Sequence, residues 1–377
     1  MAFRQDRIEK AQALMKEQGM VGIMVMNHDD FYYFFGFDWA QPRAIIPWKG
    51  EPALISFAAE EPLLRERVQN ADVRIFTHVG EQIKDVVSRF RELVMAIGMP
   101  PLKGKPKVGM QLFFHTPAFL VDLFRKVNPM VELVSSESVM NELRKIKEPK
   151  EIENMTCAQR IAGQGMDRVR ELLRLGATAQ DIASEALYTM MKAGSPRTST
   201  PLHFNFGVES CMLHGRLSEE PLKQGDLAVI DLTPMLNGYC ANLARTFVIG
   251  EPDEQQRSLL DCYSKMKEVT RQAMSPGSKV KDLDDAGKEV CERYGLGEYH
   301  IEGISHGIGL RFEETPASTI VKTDRNVVLE EGMTLTIGHT ILAIPGDGGV
   351  RHEDIYRVTS SGAEILFDYP IEPVANN

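Results

Sequence analysis

Cysteine is sparse in this chain of 377 residues: five thiols, at positions 157, 211, 240, 262 and 291, an odd number with no Cys-x-x-Cys pair. That pattern argues against a disulfide framework and points to reduced thiols in the cytoplasm. Positive charge is also in short supply. Forty-three lysines and arginines face 53 aspartates and glutamates, a net charge of −10, so no basic face is expected for nucleic acid or for an anionic membrane surface. No segment approaches the roughly 18 uninterrupted apolar residues of a membrane helix. The opening MAFRQDRIEKAQ is charged from its fourth residue and lacks the apolar centre of a signal peptide. What remains is the composition of an ordinary globular protein, on a chain long enough for two domains.

The segment RIEKAQALMKEQG spaces Ile8, Ala11, Leu14 and Met15 on one helical face and stops at Gly19, a natural helix end. The apolar run VGIMVM, the aromatic FYYFFGF and then AIIPWKGEPALISF follow. This alternation of helix and strand, to about residue 134, predicts an α/β domain. A polar helical connector, SSESVMNELRKIKEPKEIENM, puts Pro149 at the start of a new helix. The division is placed at residues 1–143 and 144–377.

The second part carries an internal repeat. At an offset of 101 positions Gly176 matches Gly277, Asp181 matches Asp282, Ile182 matches Leu283 and Gly194 matches Gly295. Each copy reads as a long helix, a turn containing glycine, a second amphipathic helix ending at glycine, and then strands. Thr178 and Asp181 make a capping pair in the first copy. The expected class is α+β: two α-α-β-β modules related by a pseudo-twofold axis, their strands in one mainly antiparallel sheet, with the ligand cleft on the open face between them.

Within that part, VIDLTPMLNGYCANLARTFVIG (residues 229–250) reads as two strands around the turn Asn237-Gly238. A two-residue turn there makes paired residue numbers sum to 475. Asp231 then faces Ala244, and Asn242 lies on the same face as Asp231, a diagonal neighbour roughly 7–8 Å away at Cα. The pair could grip an ion or a substrate group, or simply satisfy backbone at a sheet edge. Three further segments carry candidate chemistry: HFNFGVESCMLHG with His214, ISHGIGLRFEETP with His306, and GVRHEDIYRV with Glu353. A Cys211–His214 nucleophile pair is set aside, because nothing orients a thiolate there.

The order of these motifs, together with LEEGMTLTIG, resembles the pita-bread family that includes methionine aminopeptidase, aminopeptidase P, prolidase and creatinase. The resemblance covers nearly the whole chain and implies a creatinase/prolidase-like N-terminal domain before a pita-bread catalytic domain. It also implies five ligands around two divalent ions. Those positions fall on Asp231, Asn242, His306, Gly338 and Glu353. Asn242 loses a bridging charge and Gly338 supplies nothing, so a two-metal site is not expected; at most one weakly held ion is. His339, next to Gly338, should point to the opposite face of its strand. Where the peptidases often place a histidine before the glutamate that precedes proline, this chain has Glu313, which suits a cationic or hydrogen-bond-donating substrate group.

The resemblance to creatinase, which hydrolyses a C–N bond without metal, places a general acid/base histidine on His214. Its guanidinium-binding glutamate falls on Ala244, so creatine itself is not indicated. The leading expectation is a hydrolase of a small-molecule amide or amidine, largely metal-independent and without cofactor. His306 would donate to the developing oxyanion or position water, Glu353 would hold a donor or cationic nitrogen, and Asp231 and Asn242 would bind substrate or water. Phe204, Phe206, Arg351 and His352 are candidate pocket walls. The alternatives are a metallopeptidase of prolidase or aminopeptidase P type acting on short peptides, and a silent binding protein. Family resemblance further implies a homodimer, with Trp39 and Arg43 as candidates to reach the partner's cleft.

Overall fold

A computed structural model describes residues 3–68, 70–76, 104–113 and 116–371, so residues 77–103 of the expected helix and strand alternation lie outside the described residues. The chain forms two compact units, 1–144 and 145–377. In the first, strands β1 (Met20–Val25), β2 (Ala44–Pro47), β3 (Ala53–Phe57), β4 (Asp72–Phe76), β5 (Lys107–Met110) and β6 (Glu132–Ser135) make one sheet in the order β4-β3-β2-β1-β5-β6. Strand β1 is buried along its whole length, as its unbroken apolar run requires. The helix Gln5–Glu17 buries Ile8, Ala11 and Met15, and Gly19 closes it in the left-handed region at φ +69°.

The second unit contains the repeat. Its first half has the helices Pro149–Leu172 and Ala179–Lys192 and strands β7 (His203–Phe206), β8 (Leu227–Leu232) and β11 (Leu243–Val248), in the order β11-β8-β7. The short strands β9 (Met235–Leu236) and β10 (Tyr239–Cys240) extend the hairpin. The second half has the helices Glu254–Ala273 and Val280–Arg293, and strands β12 (Thr334–Ile337), β15 (Asp354–Thr359) and β16 (Gly362–Ile365) in the order β12-β15-β16. Strands β13 (Leu342–Ile344) and β14 (Gly348–Val350) pair separately.

Matched positions cap the equivalent helices of the two halves, each by a different half of the capping box. Thr178 caps its helix by accepting from the Asp181 amide at 3.1 Å, and Asp282 accepts from the Lys279 amide at 2.8 Å at the equivalent helix start. Each half has its own core. Ile161, Met166, Ile182, Met190, Phe204 and Phe206 fill the first, and Leu259, Met266, Leu283, Ile304, Leu335 and Tyr356 the second. Each such side chain contributes about 1.5–3 kcal/mol by leaving water, so each half is a packed layer of helices on sheet. The half-sheets meet where Ala244 and Glu353 form an antiparallel bridge. This is the pita-bread architecture, and its seam positions the polar residues of the site.

Candidate active site

The Asn237-Gly238 turn has both residues at positive φ, +49° and +79°, as a tight hairpin of this type demands. The register that follows pairs Asp231 with Ala244, Leu236 with Tyr239 and Met235 with Cys240. On the shared face the Asn242 amide donates to Asp231 Oδ1 at 2.9 Å. Gln159, from the first helix, holds the Asn242 backbone at both its N–H and its carbonyl, each at 3.1 Å. The other Asp231 oxygen faces Arg351 Nη1 at 3.3 Å, and Arg351 Nη2 donates to the Leu213 carbonyl at 2.8 Å. Burial, with the Glu353 charge nearby, pushes the Asp231 carboxyl up to about 7 against the pull of Arg351.

A second cluster lies across the seam. His306 is fully buried in the glycine-rich SHGIGL loop. Gly307 runs so close to the Glu314 and Thr315 backbone that a Cβ would lie within 2.6 Å of their carbonyl oxygens. The His306 Nδ1–H donates to the Gly307 carbonyl at 3.0 Å, and its Nε2 faces Glu353 Oε1 at 3.6 Å. Strand β12 ends at Ile337, and Gly338 then adopts φ +106°. A Cβ at that position would lie 2.0 Å from the His352 carbonyl oxygen, so this backbone admits only glycine. The Ile304 carbonyl accepts from both the Gly338 and His339 amides, at 2.8 and 3.0 Å.

That turn overturns the expectation for His339. The left-handed residue resets the strand's alternation, and His339 swings into the cleft instead of away from it. Its Nδ1 lies 3.4 Å from Glu353 Oε1, its Nε2 lies 3.7 Å from Glu313 Oε1, and its ring meets His306 edge to face at 4.6 Å. Burial disfavours charge on Glu353, yet the two imidazoles outweigh it and hold the carboxyl well below the usual range. Burial pushes the His339 imidazole down, whereas for His306 the neighbouring Glu353 and Glu313 overcome burial and push it up.

Three expected wall residues face elsewhere. On β7, His203 pairs with Asp231, so side-chain alternation turns Phe204 and Phe206 away from the cleft and into the helix-packed core. His352 alternates with Arg351 and Glu353 and packs edge to face on Tyr263 of the helix Glu254–Ala273, at 5.6 Å. Arg351, Glu353, Asp231, Asn242, His306 and Glu313 do converge. His214 lies in an exposed bend after β7, near enough to the cleft residue His203 for its charge to be felt there. Sequence reading missed His203: burial, then Arg351, lower its imidazole to about 4. Only the pairing of β7 with β8 brings it to the site.

The two-ion, five-ligand set does not fit these residues. The Asn242 amide is engaged with Asp231, Arg351 already supplies a cation there, and position 338 has no room for a side chain. Among the described residues, ligand atoms of His306, Glu313 and His339 instead lie within 4.8 Å of one another.

Two α-α-β-β halves with a histidine- and carboxylate-lined cleft at their seam define a protein of the pita-bread class. The chain belongs to metallopeptidase family M24, whose profile matches residues 153–360, and the creatinase/prolidase N-terminal domain matches residues 7–146. An Xaa-Pro dipeptidase from Pyrococcus furiosus is 28% identical over 363 residues, spanning 96% of this chain and 97% of the relative. The solved prolidase from Pyrococcus horikoshii OT3 is 25% identical with a TM-score of 0.84, covering 98% and 99% of the two chains. The solved prolidase from Pyrococcus furiosus is 27% identical with a TM-score of 0.81, over 95% and 99%. This kinship supports the metallopeptidase alternative better than the creatinase-like reading, and it does not support the expectation that no cofactor is needed.

Proposed function

We propose that this protein hydrolyses the amide bond of short peptides, with dipeptides carrying proline in second place as the first substrate class to test. The observation that carries the reading is the convergence of Asp231, His306, His339, Arg351 and Glu353 in one buried cleft at the seam. Whole-length kinship with proteins named Xaa-Pro dipeptidase adds to it. In this reading the amide C–N bond breaks as water adds its hydroxyl to the carbonyl carbon and a proton passes to the leaving nitrogen. His214, solvent-accessible and near His203, is assigned delivery of that proton. His203, held neutral by burial, offers its unpartnered Nδ1 to a substrate N–H. Asp231, Asn242 and Arg351 form the polar wall that orients the peptide.

Proline release from Xaa-Pro dipeptides, compared with Ala-Ala and with creatine-like and cyclic amidines, tests the reading. Xaa-Pro turnover is expected, and His214→Ala should lower kcat by roughly 10²-fold or more, the usual size of a general-acid contribution. Inert peptides alongside a hydrolysed amidine would instead favour the creatinase-like, metal-independent reading, for which the residues at 242 and 338 speak. Peptide binding without turnover in both wild type and His214→Ala would mark a silent binding protein.

A further inference from the structure

The residue types at two positions look exchanged. Family resemblance implies a histidine where Glu313 stands and a glutamate at position 338, yet here the acid is at 313 and the imidazole comes from His339. Each change alone would damage a metal site. In space they compensate, because the left-handed turn at Gly338 delivers His339 to the side of the cleft that Glu313 faces.

Several polar atoms around these residues are left unmatched by the protein itself. His306 Nε2, His339 Nδ1 and both carboxylate oxygens of Glu353 are buried without a hydrogen-bond partner. They face one another at 3.4 and 3.6 Å, and His339 Nε2 lies 3.7 Å from Glu313 Oε1. These separations are too long for good hydrogen bonds. An ion with bonds of about 2.1 Å would set its ligands roughly 3.4 Å apart, and one ligand atom each of His306, Glu313 and His339 already lies within 4.8 Å of the others. His306 also has the outer contact usual for a ligating histidine, its second nitrogen donating to a backbone carbonyl. The His339 side is held just as firmly: the Tyr263 hydroxyl lies 2.7 and 2.6 Å from the Gly338 and Thr340 carbonyl oxygens on either side of it.

We propose that His306, His339 and Glu313 form a site for a single divalent transition-metal ion, displaced from the Asp231–Asn242 half of the cleft, with Glu353 beside it as a buried negative charge outside the ligand set. Two imidazoles among carboxylates suit zinc, cobalt or manganese and not calcium or magnesium, which take all-oxygen shells. One ion is the limit, because the Arg351 guanidinium occupies the electrostatic place of a second beside Asp231. The site shares its cleft with the proposed peptidase reading, but its occupancy is measured without substrate.

The test uses the full-length chain, stripped with EDTA and returned to chelator-free buffer, then titrated with Zn²⁺ by calorimetry and with Co²⁺ by visible absorption. One equivalent is expected, with cobalt bands of a four- or five-coordinate ion. His339→Ala and Glu313→Gln should each weaken binding by 100-fold or more, while His300→Gln, outside the cleft, should not change it. Circular dichroism melts of the stripped proteins check folding. If His339→Ala does not fold, the partly exposed Glu313→Gln decides. No uptake, two equivalents, or binding indifferent to the cleft substitutions would overturn the proposal. A chain that binds one ion but cleaves no peptide would defeat the peptidase reading alone, and one that cleaves peptides with no bound metal would defeat this inference alone.

Discussion

Ala244 and Glu353 donate backbone hydrogen bonds to each other, at 3.1 and 3.0 Å, and so join the two half-sheets at the residue that carries the most deeply buried carboxylate of the cleft. Arg245 fastens this joint from the opposite face. Its guanidinium donates to the carbonyls of Ala244, Glu353, Tyr369 and Pro370 and pairs with Asp354 at 2.9 Å.

Arg245→Met should therefore destabilise the chain by about 3–5 kcal/mol, the cost of breaking a buried pair and leaving its acceptors unmet. Lys267 still reaches Asp354 and keeps the loss at the lower end. Urea unfolding measures it, and a change under about 1 kcal/mol would show that the seam does not depend on this arginine.

Restoring the missing acid should fail. Gly338→Glu puts a side chain on a residue at φ +106° and a Cβ against the His352 carbonyl. Strain and overpacking together cost about 3 kcal/mol or more. A melting temperature lower by roughly 5–10 °C is expected. A variant that melts like the parent and takes up a second metal equivalent would contradict the geometry.

Asn242→Asp removes the donor that Asp231 now uses and sets a second carboxylate beside one whose carboxyl burial already pushes up to about 7. The metal-free variant should lose about 2 kcal/mol or more at pH 8, with part of the loss recovered on adding Mn²⁺. Unfolding curves with and without the ion read this directly. Equal stability of parent and variant would mean that Asp231 is not held by this contact.

His203 supplies a pH signature. Its folded-state value of about 4 lies below the ordinary 6.5, so its neutral form is the one folding favours. The stability it contributes is complete above pH 6.5 and is lost as pH falls through 4. His203→Gln should flatten the stability profile in that window by up to one proton's worth, about 1.4 kcal/mol per pH unit. Profiles of equal slope would show that the imidazole titrates normally.

How much of this was legible depended on whether the governing contact was local. The Asn237-Gly238 turn fixes its own register, so the placement of Asp231 opposite Ala244 could be counted from sequence. The repeat was legible because Gly176, Gly194, Gly277 and Gly295 all sit where the backbone needs positive φ. Phe206 and His203 were not, because the face each takes is set by the pairing of β7 with β8, more than 20 residues away in the chain. For His352 the period-two rule was available: neighbours of Glu353 point the other way. His339 defeated the same rule, since one left-handed glycine at the strand's end turns the next side chain to the other face.

That turn also constrains what such a site can hold. A side chain at position 338 would require the backbone to leave the left-handed region, and residue 339 would then lose the orientation that this turn gives it. With glycine in the turn, an acid at 338 would meet the His352 carbonyl, and the imidazole next to it is the one that reaches the cleft. The bend at Gly338 thus decides which of two neighbouring positions can send a side chain into the cleft, and counting residues position by position along the sequence passes over that choice.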